Sequence, residues 1–122
     1  MQKNNSQVAQ RKHFRIESEI MNYMNYVMKN EIYDENVKKA TITYVKLTKP
    51  RDELFVYIDT YDRTKIDFIL KCLNEAKPAF KRALASHLNL RKIPNIFFER
   101  DLTIDRMNEM EELFDKINNK NK

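Results

Sequence analysis

Glycine is absent from all 122 residues. Phosphate-cradling loops and dinucleotide turns need residues that tolerate positive φ and a close backbone approach, so a P-loop and a Rossmann fingerprint are both excluded. Cysteine occurs once, at Cys72, which excludes an intramolecular disulfide. With only His13 and His87 beside it, no closely spaced ligand cluster for zinc can form, and neither a metal nor a cofactor is expected. No apolar run approaches the roughly 20 residues that a bilayer span requires. The opening stretch MQKNNSQVAQRKHF carries no apolar signal segment. The expectation is a cytoplasmic protein without membrane contact.

Hydrophobic residues make up 42% and charged ones 34%, a balance that supports a folded domain rather than disorder. The length suits one core. A net charge of +5 with a pI near 9.3 points to an anionic partner, and the charge is segregated along the chain. Residues 1–16 hold Lys3, Arg11, Lys12 and Arg15 and no acid. Residues 76–98 hold Lys77, Lys81, Arg82, Arg91 and Lys92 and again no acid. Residues 99–117 reverse the sign, with Glu99, Asp101, Asp105, Glu109, Glu111, Glu112 and Asp115 against Arg100, Arg106 and Lys116.

Periodicity divides the chain into a mobile tail (1–11), a single domain (12–118) and a disordered end (119–122). From Phe14 to about Asn30, the residues Ile16, Ile20, Tyr23, Met24 and Val27 recur at helical spacing. Lys38 to Thr48 and Glu53 to Tyr61 alternate in period two and are rich in β-branched and aromatic residues. The turn chemistry of Lys49-Pro50-Arg51-Asp52 makes them an antiparallel hairpin with Val56 and Ile58 in the core. Ile66, Ile69, Leu70, Leu73 and Ala76 form a second helical stripe, and Phe80, Ala83, Leu84 and Leu88 a third. Pro78 breaks the run between them and suits the first turn of a new helix. Pro94 stops the third stripe, NIFFE (95–99) reads as a short strand, and Thr103 is positioned to cap a last helix carrying Met107, Met110, Phe114 and Ile117.

Carboxylates at helical spacing, Glu17 with Glu19 and Glu109 with Glu112, raise the question of acid–base chemistry. Nothing marks a pocket around them, and a charge-rich helical face is ordinarily solvated surface, so no catalytic residue is assigned. Cys72 reads as a small packed side chain, and His87 as a core-edge residue or a phosphate contact. Lys77, Lys81 and Arg82 cluster where two helices meet and the second presents free amides, which suits phosphate. Tyr57 and Phe55, on the outer face of the hairpin, are placed either to stack on bases or to pack under the first helix.

The run Leu90-Arg91-Lys92-Ile93-Pro94-Asn95-Ile96-Phe97-Phe98-Glu99-Arg100-Asp101, then Thr103-Ile104-Asp105-Arg106 and Glu111-Glu112-Leu113, resembles the ribosome-binding factor A family. Arg15-Ile16 and Asn30-Glu31-Ile32 at the two ends of the first helix, and Val56-Tyr57-Ile58 in the second strand, extend the likeness from about Arg11 to Ile117. The order helix, strand, strand, helix, kink, helix, strand is that of a type II KH-like domain. The resemblance implies an α+β fold, a three-stranded sheet with helices on one face, and an additional C-terminal helix. It also places an interhelical kink at Ala76, Lys77 and Pro78, where Pro78 stands in place of the family's kink glycine and the kink replaces the GxxG loop of ordinary KH domains. Asp34-Glu35-Asn36-Val37 keeps only part of the family's Asp-Pro-Arg-Leu segment.

Functionally, the resemblance implies a non-enzymatic, monomeric factor without a small-molecule substrate. It would bind the free or immature 30S subunit and 16S rRNA, assist late 16S maturation including the 5′ region, and support growth in the cold. Lys77, Lys81, Arg82, His87, Arg91 and Lys92, with Arg11, Lys12 and Arg15, would hold phosphates, and the acidic last helix would face away from RNA. The alternative is a KH-like adaptor that binds single-stranded RNA generally.

Overall fold

The apolar stripe beginning at Phe14 becomes the buried face of α1 (Gln2–Asn30) in the computed structural model, which describes residues 2–120 and the side chains of residues 7–119. Ile20, Met24, Val27 and Met28 are almost wholly excluded from solvent. The helix starts at Gln2, well ahead of Phe14. Residues 7–12 are exposed along it, so this stretch has no core face and left no apolar period to read. The tail expected over 1–11 is therefore helical from Gln2 onward. The end expected over 119–122 is helical as far as Lys120, and Met1 and residues 121–122 lie outside the described residues.

A one-turn helix, α2 (Glu35–Lys38), was not anticipated. Asp34 caps it by accepting the Asn36 amide at 2.9 Å, and Val37 is its buried anchor. Strands β1 (Ala40–Leu47) and β2 (Glu53–Thr60) then pair antiparallel. Strict alternation would place Ile42 and Val45 on opposite faces. A bulge at Thr43 resolves this, because Ile42 pairs with Ile58 but Tyr44, not Thr43, pairs with Tyr57. Ile42, Val45 and Leu47 consequently all face inward, while Tyr44 faces out.

The hairpin turn shows what the lack of glycine costs. Arg51 takes the left-handed conformation (φ 67°), the one positive φ among the described residues, and its amide donates to the Thr48 carbonyl at 2.6 Å.

β3 (Asn95–Arg100) lies parallel to β2, giving the strand order β1-β2-β3. A parallel neighbour needs a long crossover, supplied here by α3 (Ile66–Glu75) and α4 (Lys77–His87). Ile66, Ile69, Cys72 and Leu73 of α3, and Phe80, Ala83 and Leu84 of α4, join Leu54, Val56, Ile58, Ile96 and Phe98 in one core. The Phe80 and Phe98 rings meet at 5.3 Å. Helices α1, α3 and α4 thus cover one face of a three-stranded sheet, which is the α+β, KH-like arrangement expected.

α5 (Thr103–Lys120) is different. Its stripe of Met107, Met110, Phe114 and Ile117 is formed as expected, yet every member is about half exposed, as is Ile104 beside it. Asp101, rather than Thr103, satisfies its opening turn, accepting from the Thr103 amide at 2.9 Å and the Thr103 hydroxyl at 2.6 Å.

Candidate nucleic-acid interface

α3 ends and α4 begins at a single residue, Ala76, with φ −87° and ψ 0°. Its amide donates back to the Cys72 and Leu73 carbonyls, both at 3.1 Å, and its own carbonyl accepts from Ala79 and Phe80. Pro78 sits in the first turn of α4, where a missing N–H leaves no bond unmade. The bend therefore uses right-handed backbone throughout and does not require the left-handed conformation that glycine provides. No side chain caps α4, but Pro78 has no N–H and the Ala79 and Phe80 amides already donate to the Ala76 carbonyl, so the first turn offers an anion the Lys77 amide and ammonium rather than a row of free amides.

The nine cationic positions singled out in the sequence do not form one patch. Lys77 and Lys81 lie on the side of α4 that meets β3: the Lys77 ammonium stands 5.4 Å from the Phe97 ring centroid, and Lys81 donates to the Asn95 side chain at 3.4 Å. Arg82 and His87 lie toward the end of α1, around a shallow hollow that also holds Glu31. His87 Nε2 is 3.7 Å from Glu31, and its ring rests 4.7 Å from that of Tyr23, so this position is already occupied by protein contacts.

Arg91 and Lys92 form the third group, on a cleft of about 580 Å³ between α1, the hairpin turn and the loop after α4. Ile16, Ile20, Leu47, Leu88 and Pro94 contribute apolar wall, and Arg51 and Glu19 also line it. Lys12 and Arg15 precede Glu19 at helical spacing and so share its side of α1. Arg11 is turned away by roughly a quarter-circle, from the same 3.6-residue geometry.

Arg51, with neighbouring Lys49, is a cation that sequence reasoning treated only as part of a turn. Arg51 and Lys49 line a second hollow with Ala9, Gln10 and His13, so the turn links α1 to the Arg91–Lys92 loop. The one available signal was an arginine in a turn that must reach positive φ in a chain without glycine.

The acidic segment is held separately. Asp105 accepts from Arg63 at 2.8 Å and lies 3.2 Å from Arg100, pinning the start of α5 to the end of the sheet. The hydrogen bond from Thr103 holds the Asp101 carboxyl below the ordinary carboxylate range. Burial raises the Cys72 thiol, in keeping with a packing role. Glu17 and His13 are structural as well: Glu17 accepts the Leu47 amide at 2.8 Å, and His13 Nε2 donates to the Leu47 carbonyl at 2.9 Å, closing the outer edge of β1. Among the described residues no group of three His, Cys, Asp or Glu is placed to hold a metal, and no helix is long and apolar enough to cross a membrane.

A family model described as ribosome-binding factor A matches residues 12–114. Ribosome-binding factor A of Malacoplasma penetrans is 42% identical over 106 residues, covering 87% of this chain and 91% of that protein. The crystal structure of ribosome-binding factor A from Thermus thermophilus superposes with a TM-score of 0.66 at 20% identity, over 72% of this chain and 93% of that one. A homology model of the Thermus thermophilus factor, fitted into a cryo-EM map of a 30S complex, superposes with a TM-score of 0.58 at 20% identity, over 71% and 92%.

Proposed function

This chain belongs to the ribosome-binding factor A family, and from that premise we propose that it binds the free or immature 30S subunit through 16S rRNA. It assists late maturation of that RNA, including its 5′ region, and supports growth in the cold. It works in the cytoplasm, as a monomer and without catalysis. The observation that carries this reading is the separation of charge in space. Lys77 and Lys81 at the start of α4, and Arg51, Arg91 and Lys92 around the cleft, leave the acids of α5 on a different element.

Such a factor acts by differential binding: it favours whichever rRNA arrangement offers phosphates to these cations and can shift the equilibrium only by that difference in affinity. Lys77, Lys81, Arg91 and Lys92, with Lys12 and Arg15, are the phosphate contacts. Arg51 joins them, Arg11 and Arg82 stand at the margin, and His87 contributes least because Glu31 faces it. Each phosphate neutralised releases counterions, so affinity falls steeply with salt.

Sedimentation of the tagged protein through a sucrose gradient tests the proposal. At low salt the protein travels with free 30S particles, and its absence from them refutes the reading. Lys81→Glu with Arg82→Glu weakens the association while the thermal transition stays in place, because neither side chain belongs to the core.

A further inference from the structure

The sheet face turned away from the helices carries four aromatic rings that the phosphate-contact reading leaves unused. Phe55 and Tyr57 alternate on β2 with the buried Leu54, Val56 and Ile58, so both point outward. Tyr44 lies opposite Tyr57, with ring centroids 4.2 Å apart and planes 12° from parallel. Phe97 lies opposite Phe55, at 5.3 Å and 22°. The bulge at Thr43 is what brings Tyr44 to this face, and the Thr43 hydroxyl holds it there by donating to the Tyr57 carbonyl at 3.2 Å. With β1 and β3 at the two edges of the sheet, Tyr44 and Phe97 are end rings, 44% and 37% exposed. A near-parallel pair can be extended by a third planar group at such an end.

Cross-strand aromatic pairs also stabilise sheets by themselves, so exposed rings alone would decide nothing. The charge around them does. Lys46 lies across from Phe55 on β1, and the Lys77 ammonium stands over Phe97, which gives the order lysine, ring, ring, lysine across the sheet. One row outward, Glu53 pairs with Asn95, the residue that receives Lys81. In the next row Glu99 lies opposite Tyr57, and Asp59 beyond it is paired with Arg63 at 3.3 Å, so phosphates are drawn to the lysines of the Phe55–Phe97 row while Tyr44 and Tyr57 offer ring faces alone. Planar rings flanked by cations fit a strand that carries flat groups on an anionic backbone.

We propose that this uncovered sheet face is a stacking platform for unpaired RNA bases, with Tyr44, Phe55, Tyr57 and Phe97 receiving bases and Lys46 and Lys77 receiving the flanking phosphates. It rests on the RNA-binding reading above but not on the identity of the particle bound.

The test uses the full chain with a labelled, unstructured oligoribonucleotide of roughly ten nucleotides and a blunt RNA duplex of equal length. Tyr57→Leu and Phe97→Leu keep apolar area on the sheet while removing the ring, and circular dichroism verifies that both variants fold. Each is expected to weaken single-strand binding about tenfold, the lower range for one stacked base, with duplex binding unchanged. Tyrosine emission of the wild type is quenched by the single strand only. Equal losses for both RNAs, or unchanged single-strand binding, overturn the platform. So does sedimentation showing a wild-type dimer that Phe97→Leu dissolves, which would give the face to a second copy. If the wild type misses the 30S fractions yet behaves this way with oligonucleotides, the subunit reading falls and the platform stands. If it joins them and the ring variants bind single strands normally, only the platform falls.

Discussion

Helices α3 and α5 carry apolar stripes of the same kind and meet opposite fates. Ile66, Ile69 and Leu73 of α3 are pressed against the sheet and at most 2% exposed, whereas Met107, Met110 and Phe114 of α5 are 57–60% exposed. A stripe at helical spacing therefore specifies a helix and its apolar side, but not what lies against that side. Charge makes the second contrast. The basic run begins where α3 gives way to α4, and the acids lie on α5, which hangs from the sheet by its first turn.

The largest expected effect comes from the stripes themselves. Leu73→Ala should cost about 3 kcal/mol by opening a cavity in the core, while Met110→Ala should stay within about 0.5 kcal/mol. Urea denaturation of both variants checks this, and equal losses would mean that α5 is packed after all. Asp105→Ala, which removes the carboxylate that accepts from Arg63 and pairs in charge with Arg100, should cost about 1 kcal/mol. The amide-exchange protection of α5 should fall while that of α3 is kept, and a matching fall in α3 would contradict the separation.

The contrast extends to the backbone at the far end of the hairpin. Arg51→Gly relieves a left-handed arginine and should stabilise the fold by roughly 0.5–1 kcal/mol, yet it removes a cation from the cleft and should weaken 30S association. A variant that is both more stable and equally tight would show that Arg51 is turn geometry only.

The smallest effect is the pH response of the α5 start. Asp101 and, at the 3-10 turn Arg63–Lys65, Asp62 both have carboxyls held below the ordinary range by threonine hydrogen bonds. Depressed folded-state values mean that the contribution is present above the unfolded value, about 3.9, and is lost as pH falls through the folded one. The Thr103 and Thr64 amide shifts should therefore titrate below about pH 3.9, and titration above it would contradict the cause given.

Much of this arrangement was legible because it is local. The stripes of α1, α3 and α4, the hairpin and the stop at Pro94 each follow from residues within a few positions of one another. The features that escaped depend on partners distant in sequence or on backbone detail. Thr43 becomes a bulge because Val45 and Leu47 must face the same core as Ile42, which alternation inside β1 cannot reveal. His13 and Glu17 look like chemistry until Leu47 is seen against them. The division of the cations into three groups follows from packing α4 against both α1 and β3, and Arg51 joins the cleft only once the turn folds over. Pro78 stands where the family has its kink glycine, and the bend is made instead at Ala76 in ordinary right-handed backbone, a detail that no local pattern of residues reveals.

The central claim is that the α4 and cleft cations, and not α5, hold the small subunit. The most direct measurement is the salt dependence of binding to purified 30S particles for the wild type, for Lys81→Glu with Lys92→Glu, and for Glu109→Lys with Glu112→Lys. The first pair should flatten the slope of log affinity against log salt by about 2 and weaken binding, while the α5 pair leaves both nearly unchanged. An unaltered slope in the first pair, or a loss confined to the second, would contradict the account.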